Sequence, residues 1–186
     1  MIHVSLATPA DMRELIDLFH QADVHYFANR ASAKPATARY VRRNLFQPHC
    51  GVRVALAREG SRPLGFASFA ILYPAPSLSG QLFMKDLFTV KEARGKGAGS
   101  AIIQFLAKLA VGTKCGRFDW TAESTNPKAL EFYDHLGIPR VNEKVYFRLD
   151  GDLLRKFAKD RRPTSARADG AESRKRPNKR RGSAWR

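Results

Sequence analysis

The sequence predicts an α+β domain: a mixed, largely antiparallel central sheet flanked by helices, with a disordered basic tail at the C-terminus. Three observations point there. Apolar residues alternate with period two in several short runs, as in half-buried strands, and recur near 3.6 in others, as in amphipathic helices. In the middle of the chain, three strand-like runs follow one another with only turn residues between them, which antiparallel hairpins allow and parallel strands do not. The 186 residues are 44% hydrophobic and 10% aromatic, enough for one core and too much for a chain disordered throughout.

The elements follow in order. Residues 2–6 alternate as a strand. Thr8 is a natural N-cap with Pro9 at the first helical position, and Met12, Leu15, Ile16 and Phe19 then fall on one helical face. Residues 28–36 read as a loop and 37–46 as a second, Arg-bearing helix. Residues 51–57 form a short strand, 58–63 carry hairpin-turn residues, and 64–73 form the second arm. A further turn at 74–80 leads to a strand at 82–90. After Gly99 the period changes, with Ile102, Ile103, Leu106, Leu109 and Ala110 on one helical side until Gly112. A strand at 117–122 precedes a helix opened by residues 124–127 and stopped by Gly137 at its C′ position. A last strand is expected at 145–149 and a closing helix at 152–159.

Charge divides the chain. It carries 33 Lys and Arg against 17 Asp and Glu, a formal +16. Ten of those basic residues and only two acids fall in residues 161–186, a stretch with no Leu, Ile, Val or Phe. Such a segment cannot bury enough apolar surface to offset its ordering entropy. The expected domains are therefore a folded body at 1–159 and a tail at 160–186. The tail offers a sequence-independent, salt-sensitive contact to nucleic acid or the ribosome. Cys50 and Cys115 have no metal-ligand or redox spacing and read as reduced thiols. No apolar run reaches membrane-spanning length, and the N-terminus does not pair a basic start with an apolar core. The expected location is cytoplasmic, with no membrane contact.

The segment Arg94-Gly95-Lys96-Gly97-Ala98-Gly99-Ser100 lies between a strand and an amphipathic helix. Glycines there let successive backbone N–H groups converge at the positive end of a helix, a fit for pyrophosphate to which Arg94 and Lys96 add charge. The spacing is neither that of a P-loop nor that of a dinucleotide fingerprint. Three glycines alone leave a turn that binds nothing as an equal alternative.

The spacing R-x-x-G-x-G at Arg94, Gly97 and Gly99, after the strand Asp86-Leu87-Phe88-Thr89-Val90, resembles the coenzyme A signature of the GNAT superfamily of N-acetyltransferases. Further on, Asn126, Ala129, Phe132, Tyr133 and Gly137 resemble its second signature, N-x-x-A-x-x-F-Y-x-x-x-G. The resemblance covers residues 2–158, and within the superfamily the motifs look most similar to diamine (spermidine/spermine-type) acetyltransferases. It implies acetyl transfer from acetyl-CoA to a primary amine of a small molecule by direct attack in a ternary complex, with no metal. It also implies that residues 94–99, with Ser100, hold the pyrophosphate, while Phe88, Thr89 and Val90 run beside the pantetheine arm. The N–H of Val90 or Thr89 would polarise the carbonyl, Asn126 would hydrogen-bond the arm, and Tyr133 would protonate the leaving thiolate. The family often forms homodimers. An acyl-CoA-binding module with little turnover is the alternative of the same fold.

One departure stands out. The diamine enzymes place a Glu, which helps take the amine proton, where this chain has Lys85, and a lysine there would repel a polycation. His25, Tyr26, Asp86 and Glu123 are the other candidates for acceptor contact and proton removal, beside a backbone carbonyl with a water chain. His25 titrates near neutrality. Strict alternation would put Asp86 and Lys85 on opposite strand faces. If Lys85 and the arginines Arg30, Arg39, Arg42 and Arg43 face the cleft, an acceptor bearing a carboxylate is favoured.

Overall fold

A computed structural model describes residues 1–159, in which contacts divide the chain into two compact units meeting at Leu136 and Gly137. In the first unit, strand β1 (Ile2–Leu6) leads to helices α1 (Met12–Phe27) and α2 (Lys34–Asn44). Strands β2 (Arg53–Glu59), β3 (Arg62–Ala75) and β4 (Ser79–Thr89) follow, then α3 (Ala98–Gly112), β5 (Cys115–Trp120) and α4 (Pro127–His135). The five strands lie in chain order. The first three pairings are antiparallel, and β4–β5 is parallel across the α3 crossover. Five of the six expected strands form this mixed, largely antiparallel sheet, and the chain's hairpin chemistry accounts for it: Gly60 takes φ +57° at the β2–β3 turn.

The core lies on both faces of the sheet. On one, Phe66 of β3 stacks on Phe19 of α1 with ring centres 4.4 Å apart, beside fully buried Leu15 and Leu18. α3 contributes Ile102 and Leu106, each fully buried. Each such side chain contributes roughly 1.5–3 kcal/mol relative to exposure. Thr8 and Pro9 open a short 3-10 turn, Pro9–Asp11, that leads into α1, and the Thr8 backbone N–H donates to Asp11 Oδ2 at 2.6 Å. Both cysteines are free thiols.

One irregularity shapes everything downstream. On β4, Asp86 pairs with Ser68 and Met84 with Phe69, so Lys85 is an extra residue without a partner on β3. A bulge of this kind interrupts side-chain alternation. Met84 sits on the same face as Phe69, whereas Asp86 moves to the opposite one with Ser68 and Phe66. The expected separation of Lys85 and Asp86 is thereby overturned: Lys85 Nζ lies 3.5 Å from Asp86 Oδ1.

Just before the bulge the β4–β5 pair is tied by side chains. Gln81 donates to Asp119 at 2.7 Å and accepts from Arg117 at 2.8 Å, while Arg117 also meets Asp119 at 3.1 Å. The pairing ends at Met84 opposite Trp120. Beyond that point β5 ends, and β4 continues to Thr89 with β3 on one side only.

Element limits moved by a few residues, as expected where ends fray. α2 begins at Lys34, inside the expected loop, because Pro35 suits a first turn. The second unit is described from Gly137 to Lys159 and contains α5 (Gly151–Lys159). The strand expected at 145–149 is absent. Val145, Phe147 and Leu149 do alternate, but alternation alone does not make a strand, and residues 145–149 form none. No described helix is long and apolar enough to cross a membrane. The basic tail lies outside the described residues.

Candidate active site

The glycine turn is built to leave backbone donors open. After β4 a short 3-10 turn, Lys91–Ala93, leads to Gly95 at φ +72° and Gly97 at φ +86°, conformations that L side chains resist. Two amides are consumed locally: Arg94 N–H donates to Lys91 O and Lys96 N–H to Ala93 O, each at 3.3 Å. The first bond of α3 runs from Ala101 N–H to Gly97 O at 2.9 Å. The amides of Gly97, Ala98, Gly99 and Ser100 are therefore the four that helix geometry leaves without an intrahelical acceptor. Arg94 Nε donates to Thr89 O at 3.3 Å, which ties its guanidinium to the end of β4.

The end of β4 presents a specific edge. Val90 N–H donates to Leu64 O at 2.9 Å, so of the two amides the motif left open, Val90 is committed to the sheet. Hydrogen-bonded and non-bonded pairs alternate along antiparallel strands. Phe88 thus shares Val90's orientation toward β3, and Leu87 and Thr89 turn their backbone groups to the side where β5 has ended. Two contacts agree: Tyr26 Oη donates to Leu87 O at 3.2 Å, and Arg94 reaches Thr89 O. The contribution of Phe88 here is its ring, 6.0 Å from both Phe66 and His25.

Across the opening stands α4. Asn126 caps it, its side-chain oxygen accepting from Ala129 N–H at 3.2 Å and leaving its amide NH₂ for a ligand. Phe132 packs over the glycine turn: a Cβ at Gly99 would lie 3.1 Å from its ring. Tyr133 is half-buried, its ring 5.1 Å from Trp120 of β5 and from Phe132. Burial, together with the neighbouring Tyr26 phenol, pushes Tyr133 up to about 12, so its hydroxyl keeps its proton throughout the physiological range.

At the C-terminal end of α1, His25 packs on Tyr26 and Phe88 at 5.1 and 6.0 Å. Partial burial, then the positive charges of Arg94 and Lys128, hold its imidazole below the usual histidine range, leaving it neutral. Tyr26 is raised by burial and by the Asp86 carboxylate. His25, Tyr26, Asp86, Arg94 and Tyr133 thus form one neighbourhood. Glu123 sits in the loop before α4, where its carbonyl accepts from Asn126 N–H at 2.9 Å. Arg30, Arg39, Arg42 and Arg43 are exposed.

Three residues that sequence reasoning passed over belong to this neighbourhood. Trp120 backs Tyr133, Lys128 acts on His25, and Ser68 donates to Asp86 Oδ2 at 2.5 Å. Only Ser68 left a signal, as a lone polar residue inside the apolar run of β3.

The model described as "Acetyltransferase (GNAT) family" matches residues 12–138. A thialysine N-epsilon-acetyltransferase of Mus musculus is 26% identical over 103 residues, 54% of this chain and 60% of that protein. An L-ornithine N5-acetyltransferase of Arabidopsis thaliana is 32% identical over 95 residues, 51% of this chain and 42% of that protein. The chain thus spans less than two thirds of either relative's length. Among solved structures, an integron cassette protein from the mobile metagenome of V. cholerae has a TM-score of 0.81 at 40% identity, covering 86% of this chain and 98% of that one. With the family pattern running through residues 12–138 and its two signature motifs meeting where Gly99 touches Phe132, this chain belongs to the GNAT acetyltransferase family.

Proposed function

We propose that the chain transfers an acetyl group from acetyl-CoA to a primary amine of a small molecule by direct attack in a ternary complex. The observation that carries this reading is the end of β5 at Trp120 while β4 runs on to Thr89. It exposes the Leu87 and Thr89 backbone edge between the unpaired amides of α3 and the protonated hydroxyl of Tyr133. These features fit the family's co-substrate: four amides and Arg94 for a pyrophosphate, the outward N–H groups of Leu87 and Thr89 for an amide-bearing arm, and Asn126 Nδ2 as a further donor.

Acetyl-CoA supplies an acyl carbon already activated as a thioester. The residues of the chain supply the remainder. Thr89 N–H is the donor turned toward the developing oxyanion. As the amine nitrogen bonds to the acyl carbon and the carbon–sulfur bond breaks, the sulfur gains negative charge. Tyr133 meets it as a hydrogen-bond donor. At about 12, Tyr133 lies well above a thiol's ordinary ~8.5, so it keeps its proton while its hydrogen bond stabilises the leaving thiolate, whose net protonation is left to solvent. The amine's own proton passes to neutral His25 or, through water, to Asp86.

The acceptor class follows from charge. Lys85 is 72% exposed beside Asp86, offering a cation and an anion at one edge. The matched relatives act, by their names, on thialysine and ornithine, amino acids with a side-chain amine and a carboxylate. We infer the side-chain amine of a small basic amino acid rather than a polyamine. Thiol release from acetyl-CoA, measured against ornithine, lysine analogues, spermidine and an aminoglycoside, tests this. Highest kcat/KM for an amino acid is expected. A spermidine preference would overturn the acceptor class, and CoA binding without thiol release for any amine would overturn the transferase reading.

A further inference from the structure

We propose that Ser68 is a positioning residue that fixes the Asp86 carboxylate for the ammonium of the incoming acceptor; this rests on the transferase reading above. Ser68 is 2% exposed, and with Thr37 it is one of two buried polar residues among those described. A buried hydroxyl requires a partner. Ser68 has Asp86, directly opposite in register, with its Oγ–H donating to Oδ2 at 2.5 Å. The bulge at Lys85 creates this pair, because without the extra residue Asp86 would project to the other face of the sheet.

The two carboxylate oxygens then differ. Oδ2 is held from inside the sheet by Ser68, whereas Oδ1 faces the exposed Lys85 ammonium at 3.5 Å. An ion pair to a side chain that is 72% exposed is weak and exchangeable. Oδ1 is therefore the oxygen an acceptor's ammonium takes, displacing Lys85. Stability alone gives no need for this hydroxyl. Asp86 is 37% exposed and can be solvated, and alanine at 68 would bury no polar group. What the hydroxyl adds is a fixed carboxylate rotamer.

A double-mutant cycle on the full chain tests this. S68A should raise KM for the preferred amine about ten-fold, the worth of one hydrogen bond to a charged group. Its kcat should stay within two-fold, and KM for acetyl-CoA and the melting temperature should hold. S68T should restore KM. S68C, matched in volume but a poor donor, should behave as S68A and serves if Thr proves too large. In a D86N background, S68A should add nothing. Wild-type kinetics in S68A, or S68A and D86N effects that multiply, would overturn the positioning role while leaving the transferase reading intact. A wild-type protein that neither binds nor acetylates any amine would overturn both.

Discussion

Gly65 supports the strand edge on which the proposed chemistry depends, and Gly65→Ala measures how firmly. A Cβ at Gly65 would lie 2.3 Å from Phe88 O and 2.9 Å from Thr89 Cα, both backbone atoms that no rotamer change can move aside. Reaching even 3.0 Å from the oxygen requires β4 to shift by about 0.7 Å, and ordinary contact requires more than 1 Å. Overpacking of this kind costs roughly 1–3 kcal/mol. At about 2–4 °C per kcal/mol for a chain of this size, the melting temperature should fall by about 2–12 °C. The displaced segment carries Thr89 N–H, and a misplacement near 1 Å costs about 100-fold in rate. Thermal unfolding and thiol-release kinetics at saturating amine read both effects. The expected signature is a loss of kcat far larger than the folded fraction explains. Unchanged stability together with unchanged kcat would refute the claim that Gly65 holds the β4 edge in place.

Other substitutions isolate single parts of the site. Tyr133→Phe should lower kcat about 100-fold with little change in KM for acetyl-CoA, and the wild-type rate should show no tyrosine titration below about pH 11. Gly97→Ala meets no atom within 4 Å, so its cost is conformational: about 1–2 kcal/mol from φ +86°, with weaker CoA binding in calorimetry. Asn126→Ala removes the α4 cap and should cost about 1 kcal/mol by denaturant unfolding, loosening Tyr133 as well. His25, held below its ordinary value, takes up a proton less readily folded than unfolded. Stability should therefore decline as pH falls below about 6.5, and His25→Gln should flatten that slope in melting curves.

Much of the fold was legible because period and turn chemistry are local. The antiparallel run β2–β3–β4, α3 ending at Gly112, and α4 opening at Asn126–Pro127 each follow from nearby residues. The two signature motifs marked the glycine turn and Tyr133 for the same reason. The expected strand at 145–149 failed because alternation alone does not make a strand.

The sequence by itself determined the order of elements from β1 to α4, the glycine positions that need positive φ, the Lys85 departure and the concentration of basic residues in 161–186. Tertiary structure alone decided which amide faces the opening, Thr89 rather than Val90, since that depends on the pairing phase with β3. It also decided that Lys85 and Asp86 share a face. One unpaired residue inverts every side chain beyond it, and that residue is defined only by the register of Asp86 on Ser68, 18 positions away in the chain.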